Sequence, residues 1–126
     1  MSSISDNTFT PEAEADLRES LKRCRPEIIE AAVHYRRTRD PKEAPKIVLG
    51  IIERFLEPEM RSKLQVEDCD DLRMIDDLGV DSLIMVEIVM TIEETLKLSI
   101  PDEELRGLQS VKDVKDYISQ KIKGSA

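Results

Sequence analysis

An all-α protein is what this sequence predicts: a small four-helix bundle with a long loop between its first two helices, preceded by an extra helix or a kinked helix pair. Three observations carry that expectation. Charged residues make up 37% of the 126 and only four glycines are present, a composition that favours helices. Aromatic residues are 3% and tryptophan is absent, so Leu, Ile, Val and Met must fill the core. Apolar residues recur in steps of three and four, the spacing of one helical face.

That length suits one domain with an appendage. We expect an N-terminal extension over 1–40, with a disordered start, and the main domain over 41–126. In the extension, Thr10-Pro11 reads as an N-cap followed by a first-turn proline. Leu17, Leu21, Cys24, Ile28, Ala31 or Ala32, and Tyr35 then fall on one face. Pro26 interrupts them, because a proline inside a helix loses a hydrogen bond and clashes with the preceding turn. The segment is either one kinked helix or two helices meeting near Arg25.

Asp40-Pro41-Lys42-Glu43 is a second start signal. Pro45 is tolerable only near the first turn. Ile47, Val48, Ile51, Ile52, Phe55 and Leu56 make the next helix strongly amphipathic. Gly50 in its middle costs about 1 kcal/mol against alanine and so marks close packing. Residues 57–80 form a long acidic connection with apolar anchors at Leu64, Val66, Leu72, Met74, Ile75 and Leu78. A short helical turn is expected around Met60–Leu64. A connection of this length in a small domain is often functional.

The second core helix is expected from Ser82 to Leu96, with Leu83, Val86, Val89 or Met90, and Leu96 inward and Ile92 beside them. Ile100-Pro101-Asp102-Glu103-Glu104-Leu105 opens a short helix that Gly107 ends. Ser110-Val111-Lys112-Asp113 has capping-box spacing. It starts a last helix with Val111, Val114, Tyr117, Ile118 and Ile122 along one side. Lys121 and Lys123 sit where the helix dipole favours cations.

Charge excludes some functions. The net charge is −8, and between Asp76 and Glu104 nine acids face one base, Lys97. Such a field repels nucleic acid and anionic membrane and attracts basic protein surfaces. On its own, an acidic face of this kind is more often a solvated surface. No apolar run is long enough to span a bilayer, and the N-terminus lacks the features of a signal peptide, so a cytoplasmic protein is expected. Cys24 and Cys69 read as buried small residues or free thiols. One histidine, His34, gives a metal or His-dependent site little material, and we expect no metal.

Ser82 is the residue with candidate chemistry. A nucleophile elbow needs Gly-x-Ser-x-Gly, but Val80 and Ile84 stand at the glycine positions. No window has the ligand order of an EF-hand. At a loop–helix junction, however, Ser82 meets unpaired backbone N–H groups that stabilise a phosphodiester. Gly79 allows a tight turn and Asp81 adjoins the hydroxyl. Local sequence alone favours Ser82 as a plain helix cap.

The run Asp77-Leu78-Gly79-Val80-Asp81-Ser82-Leu83 continues through Val86-Glu87, Val89-Met90 and Glu93-Glu94. Ile100-Pro101-Asp102-Glu103-Glu104, Val111 and Asp116-Tyr117-Ile118 follow. In type, spacing and order this resembles the freestanding type II acyl carrier proteins. The resemblance is good over roughly residues 42–122, weaker in the first helix and long loop, and absent over 1–40. It implies an acyl-carrier-type bundle, no catalysis by the chain itself, and 4′-phosphopantetheine from coenzyme A attached to Ser82. Asp81 and Leu83 would flank the arm.

Asp81, Glu87, Met90, Glu93, Glu94, Asp102 and Glu103, with Val86, would meet basic docking patches. The partners implied are a phosphopantetheinyl transferase, a ketoacyl synthase and other acyl-processing enzymes of fatty acid or specialised lipid biosynthesis. The acyl chain is expected against Ile52, Phe55, Val89, Ile92 and Tyr117, residues that core packing would also need. The alternatives are a polyketide or aminoacyl carrier, or a small helical adaptor without cofactor.

Two departures from the family pattern stand out. Ile84 occupies a position that is often acidic, which would offer an apolar contact beside the arm. The extension is the other. It could dock on the core, self-associate through Leu17, Leu21, Cys24 and Ile28, or engage one dedicated enzyme. Arg36-Arg37-Thr38-Arg39 could pair with acids of the second core helix.

Overall fold

Prolines set where several helices begin. The computed structural model describes residues 9–65 and 69–124. The expected disordered start falls mostly on residues 1–8, and the loop residues Val66, Glu67 and Asp68 also lie outside the described residues. Helix α1 (Pro11–Ser20), α2 (Pro26–Thr38) and the single turn α4 (Pro58–Arg61) each carry proline in the first turn, as α3 (Ala44–Phe55) does with Pro45. There the ring's fixed φ helps, and the missing N–H has no helical partner to lose. Pro26 therefore resolves the open choice: two helices, not one kinked helix.

Side chains cap these starts as the spacing predicts. The Thr10 hydroxyl accepts from the Ala13 amide at 3.0 Å. Asp40 accepts from Lys42 N at 3.1 Å and opens a 3₁₀ turn, Pro41–Glu43, that leads into α3. A second 3₁₀ turn, Ser62–Gln65, follows α4, as expected near Met60–Leu64. Helix α5 spans Ser82–Leu96, a 3₁₀ segment spans Asp102–Gly107, and α6 spans Val111–Gly124. At the start of α6, Ser110 and Asp113 exchange amide-to-side-chain bonds at 3.1 Å each way. Among the described residues the one extended pairing is an isolated bridge between Arg73 and Ser110.

Helix α3 is the hub. Its Ile47, Val48, Ile51 and Ile52 are fully buried, and it packs against α2, α5 and α6. The extension belongs to this same core. Leu17, Leu21, Cys24, Ile28, Ala31, Ala32 and Tyr35 are all buried, so the apolar face proposed for self-association is already used within the chain. Gly50 is where α2 approaches most closely. A Cβ there would lie 2.4 Å from Ile28 Cγ1, so only glycine admits the isoleucine without movement. The Cys24 thiol is pushed above its ordinary pKa by burial.

The arginine run does not meet the acids of α5. Arg37 pairs with Glu14 of α1, and Arg36 lies 4.7 Å over the Phe9 ring. Arg39 donates to the Leu96 carbonyl at 3.4 Å, at the C-terminal end of α5 where the dipole favours a cation.

The described part of the long connection from Cys69 onward is held by backbone bonds. Met74 N donates to Gln109 O at 2.8 Å, Val111 N to Leu72 O at 3.0 Å and Lys112 N to Asp70 O at 2.9 Å. Cys69, Met74, Leu78 and Val80 are buried beneath it. Ile75, an expected anchor, instead points outward and is 59% exposed. The loop thus holds the start of α5 against the start of α6.

Candidate functional site

Gly79 and Asp81 together decide what Ser82 can do. Gly79 takes φ +74°, a left-handed conformation that suits glycine, and three residues later the chain enters α5. Asp81 is the N-cap and accepts from the Ile84 amide at 2.8 Å. Ser82 is therefore the first residue inside the helix rather than its cap. Its side chain is exposed, and among the described residues no hydrogen bond holds its hydroxyl. The reading of Ser82 as a mere cap does not survive, because its neighbour has that task.

A cavity of about 500 Å³ opens beside this serine, lined with Ser82 by Met74, Ile75, Met85, Val86, Leu105 and Leu108. Arg73, Asp76, Arg106 and Gln109 stand at its polar parts. None of the five residues expected around an acyl chain lines it. Ile52, Val89 and Ile92 are buried in the core. Phe55 faces a different groove, under the Arg54 guanidinium at 4.1 Å. Tyr117 is half-buried and donates to Glu104; burial first, and then that bond, push its hydroxyl well above the ordinary tyrosine pKa.

Helix α5 has two apolar faces. Met85, Ile88, Val89, Ile92 and Leu96 pack inward. Leu83, Val86 and Met90 are 68%, 41% and 53% exposed. The expectation that Leu83 and Val86 face inward is therefore corrected. At about 100° per residue these three share one side of the helix with Glu87 and Glu94, both exposed. Asp81, Asp102 and Glu103 are exposed as well. Glu93 is half-buried and accepts from Ile100 N at 2.7 Å, so it fixes the turn after α5. Ile84 is half-buried against the core, not an exposed contact beside the serine.

His34 lies at the opposite end of the bundle. Its Nε2 is 3.8 Å from Asp40 and 3.7 Å from Glu43, across the junction of α2 and α3. These are exposed or half-exposed side chains, well away from Ser82. No helix among the described residues is long and apolar enough to cross a membrane.

Comparison with known proteins places the chain in a family. Residues 54–118, just over half of the chain, match the family described as "Phosphopantetheine attachment site". The acyl carrier protein of Clostridium perfringens (strain SM101) is 47% identical over 62 residues, covering 46% of this chain and 80% of the relative. That of Akkermansia muciniphila is 52% identical over 54 residues, covering 43% and 66%. That of Bdellovibrio bacteriovorus is 53% identical over 49 residues, covering 39% and 63%.

The chain belongs to the acyl carrier protein family.

Its cofactor is accordingly 4′-phosphopantetheine, and its role is acyl carriage in lipid biosynthesis. The relatives favour this over a polyketide carrier, an aminoacyl carrier or a cofactor-free adaptor. Acyl carrier proteins hold and present acyl groups, while the enzymes that dock on them perform the chemistry. The residues present suit the cofactor on structural grounds also. A free serine hydroxyl stands at the N-terminus of a helix of 15 residues, with an apolar cavity at its side. Helix α1, α2 and most of α3 precede the matched region, yet they form one core with it.

Proposed function

We propose that Ser82 is the attachment residue, within a carrier domain over 41–126 that bears an extension over 1–40. The observation that carries this is the division of labour between neighbours: Asp81 caps α5, leaving the Ser82 hydroxyl exposed at its mouth. Unpaired amides and the helix dipole there favour a phosphodiester, by about 0.3–1 kcal/mol for the dipole. The arm supplies a thiol that holds the acyl group as a thioester. What this chain supplies is position and recognition.

The cavity beside Ser82, rather than the inner core, is the better resting place for an acyl chain. Met74, Met85, Val86, Leu105 and Leu108 give it an apolar lining, and methionine adapts to irregular shapes. The outer face of α5 is the docking face: Leu83, Val86 and Met90 flanked on one side by Glu87 and Glu94, with Asp81, Asp102 and Glu103 at its margin. Its partners are a phosphopantetheinyl transferase, a ketoacyl synthase and other acyl-processing enzymes with basic patches, met in the cytoplasm. Tethering keeps the acyl group at high effective concentration in a docked active site, and salt-sensitive contacts let the carrier leave after each step.

Intact-mass measurement after incubation with coenzyme A and a phosphopantetheinyl transferase tests the attachment. Wild type should gain one phosphopantetheine and Ser82→Ala none. An unchanged wild type, or a modified Ser82→Ala, would remove Ser82 from this role.

A further inference from the structure

On a chain of net charge −8, one patch is strongly basic. Arg23 and Arg25 come from the turn between α1 and α2, Arg54 from the end of α3 and Arg61 from the end of α4. They surround a small cavity of about 130 Å³ in which one carboxylate, Glu53, faces four guanidinium groups. Arg25 pairs with Glu53 at 2.7 Å. Arg61 donates to the Leu56 carbonyl at 3.2 Å and the Arg54 carbonyl at 3.5 Å, where the C-terminal end of α3 favours cations. Arg54 lies over Phe55. That accounts for three of the four. Arg23 is exposed, and among the described residues no carboxylate lies within ion-pair distance of it.

The patch is contiguous with the docking face. Arg23 and Arg54 also line a groove of about 480 Å³ whose other walls are Phe55, Glu87, Met90, Thr91 and Glu94. Two of the acids read as docking residues thus share one groove with two arginines, one of them from the extension. Apolar Phe55 and Met90 lie in the same groove.

We propose that this groove is a bipolar docking site for a protein partner that sets basic side chains on Glu87 and Glu94 and acidic ones on Arg23 and Arg54. The proposal rests on the reading of α5 as the docking face and adds what the extension does for it. Charges of both signs favour a single orientation, because the reversed one brings like charges together. A uniformly basic partner patch meets Arg23 and Arg54 with repulsion. The extension thereby selects among partners that α5 alone would accept.

The test uses the full chain and three synthetic helical peptides of equal length: one with a lysine-rich and a glutamate-rich half, one all lysine-rich, one all glutamate-rich. Binding is read by fluorescence anisotropy at low salt and mapped by amide chemical shifts. The mixed peptide should bind about ten-fold tighter than the lysine-rich one, a difference of about 1.4 kcal/mol. Its glutamate half should shift the amides around Arg23 and Arg54. In Arg23→Glu/Arg54→Glu that preference should vanish while the lysine-rich peptide binds at least as well as before. Arg23→Gln, which breaks no ion pair among the described residues, should weaken the preference without touching the fold and covers the case in which the double variant misfolds.

Equal binding of the mixed and lysine-rich peptides by wild type would overturn the proposal, as would a preference that survives both arginine variants. So would an arginine-dependent binding to anionic phospholipid vesicles with none to the mixed peptide, which would make the patch a headgroup site. If the lysine-rich peptide fails to bind, or binds unchanged to Glu87→Lys/Glu94→Lys, it is the docking reading of α5 that has failed.

Discussion

Helices α2 and α5 both lie against α3, and each buries an apolar face there. Their outer faces differ. On α2 two of the outward charges find partners, Glu30 with Arg18 and Arg37 with Glu14. On α5 the outward face keeps Leu83, Val86 and Met90 in water beside Glu87 and Glu94. Exposed apolar side chains grouped in this way are a cost to a monomer and mark interaction sites. An outer face that is polar and largely ion-paired suits a helix that stabilises. One left apolar and acidic is what the proposed docking role of α5 requires.

Substitutions can break that comparison, most strongly at the contact of α2 with α3. Ile28→Ala should cost about 2–5 kcal/mol, as for other buried isoleucines, measured by urea unfolding. Gly50→Ala alone should cost about 1–3 kcal/mol by overpacking against Ile28. In the Ile28→Ala background the same Gly50→Ala should become neutral or stabilising, since the clash is gone and alanine favours helix. Additive costs in the double variant would mean that the two residues do not meet as described.

On α5 the pattern should invert. Met90→Ala or Leu83→Ala should change stability by less than about 0.5 kcal/mol, yet slow acyl transfer to a docked partner about ten-fold, or about 1.4 kcal/mol. Glu87→Lys should slow it more at low salt than at high salt, because exposed charges are screened. Glu93→Lys should also lower the melting temperature, since Glu93 holds the Ile100 amide. A large stability loss at Met90 would place that side chain in the core.

A smaller effect is expected at the start of α6. Bonds from the Ser110 and Gln109 amides hold the Asp113 carboxyl below its ordinary pKa. A depressed folded pKa contributes stability above the unfolded value, and that contribution is lost as pH falls through the folded one. Asp113→Asn should therefore cost less than about 1 kcal/mol at pH 7, the scale of an exposed helix-cap bond. The gap to wild type should close as pH drops below about 4. A gap that widens in acid would contradict the assignment.

Smallest is Thr95, buried on α5 with its hydroxyl lacking a partner among the described residues. Thr95→Val should be neutral or raise stability by up to about 1 kcal/mol, read as a small rise in melting temperature. A clear loss would reveal a bond to Oγ1.

Much of this was legible beforehand. Helix starts could be read because Thr10, Asp40 and Ser110 cap locally and prolines punctuate locally. Gly50 announced a close approach, though not that Ile28 would fill it. The inner face of α5 was misread for a geometric reason. Following apolar residues in steps of three, from Leu83 through Val86 and Val89 to Ile92, loses about 60° per step and walks half-way round the helix. The helix is apolar on both sides, so periodicity could not tell one from the other. The cavity beside Ser82 was hidden too, because Met74, Met85 and Leu108 come from three separate segments.

By itself the sequence determined the helical class, the element boundaries and the serine at the head of α5, since those depend on neighbours within a few residues. Tertiary structure alone decided that the extension shares the carrier's core, and which side of α5 meets water. Each depends on groups brought together from distant parts of the chain, and a pattern along one helix carries no record of what packs against it.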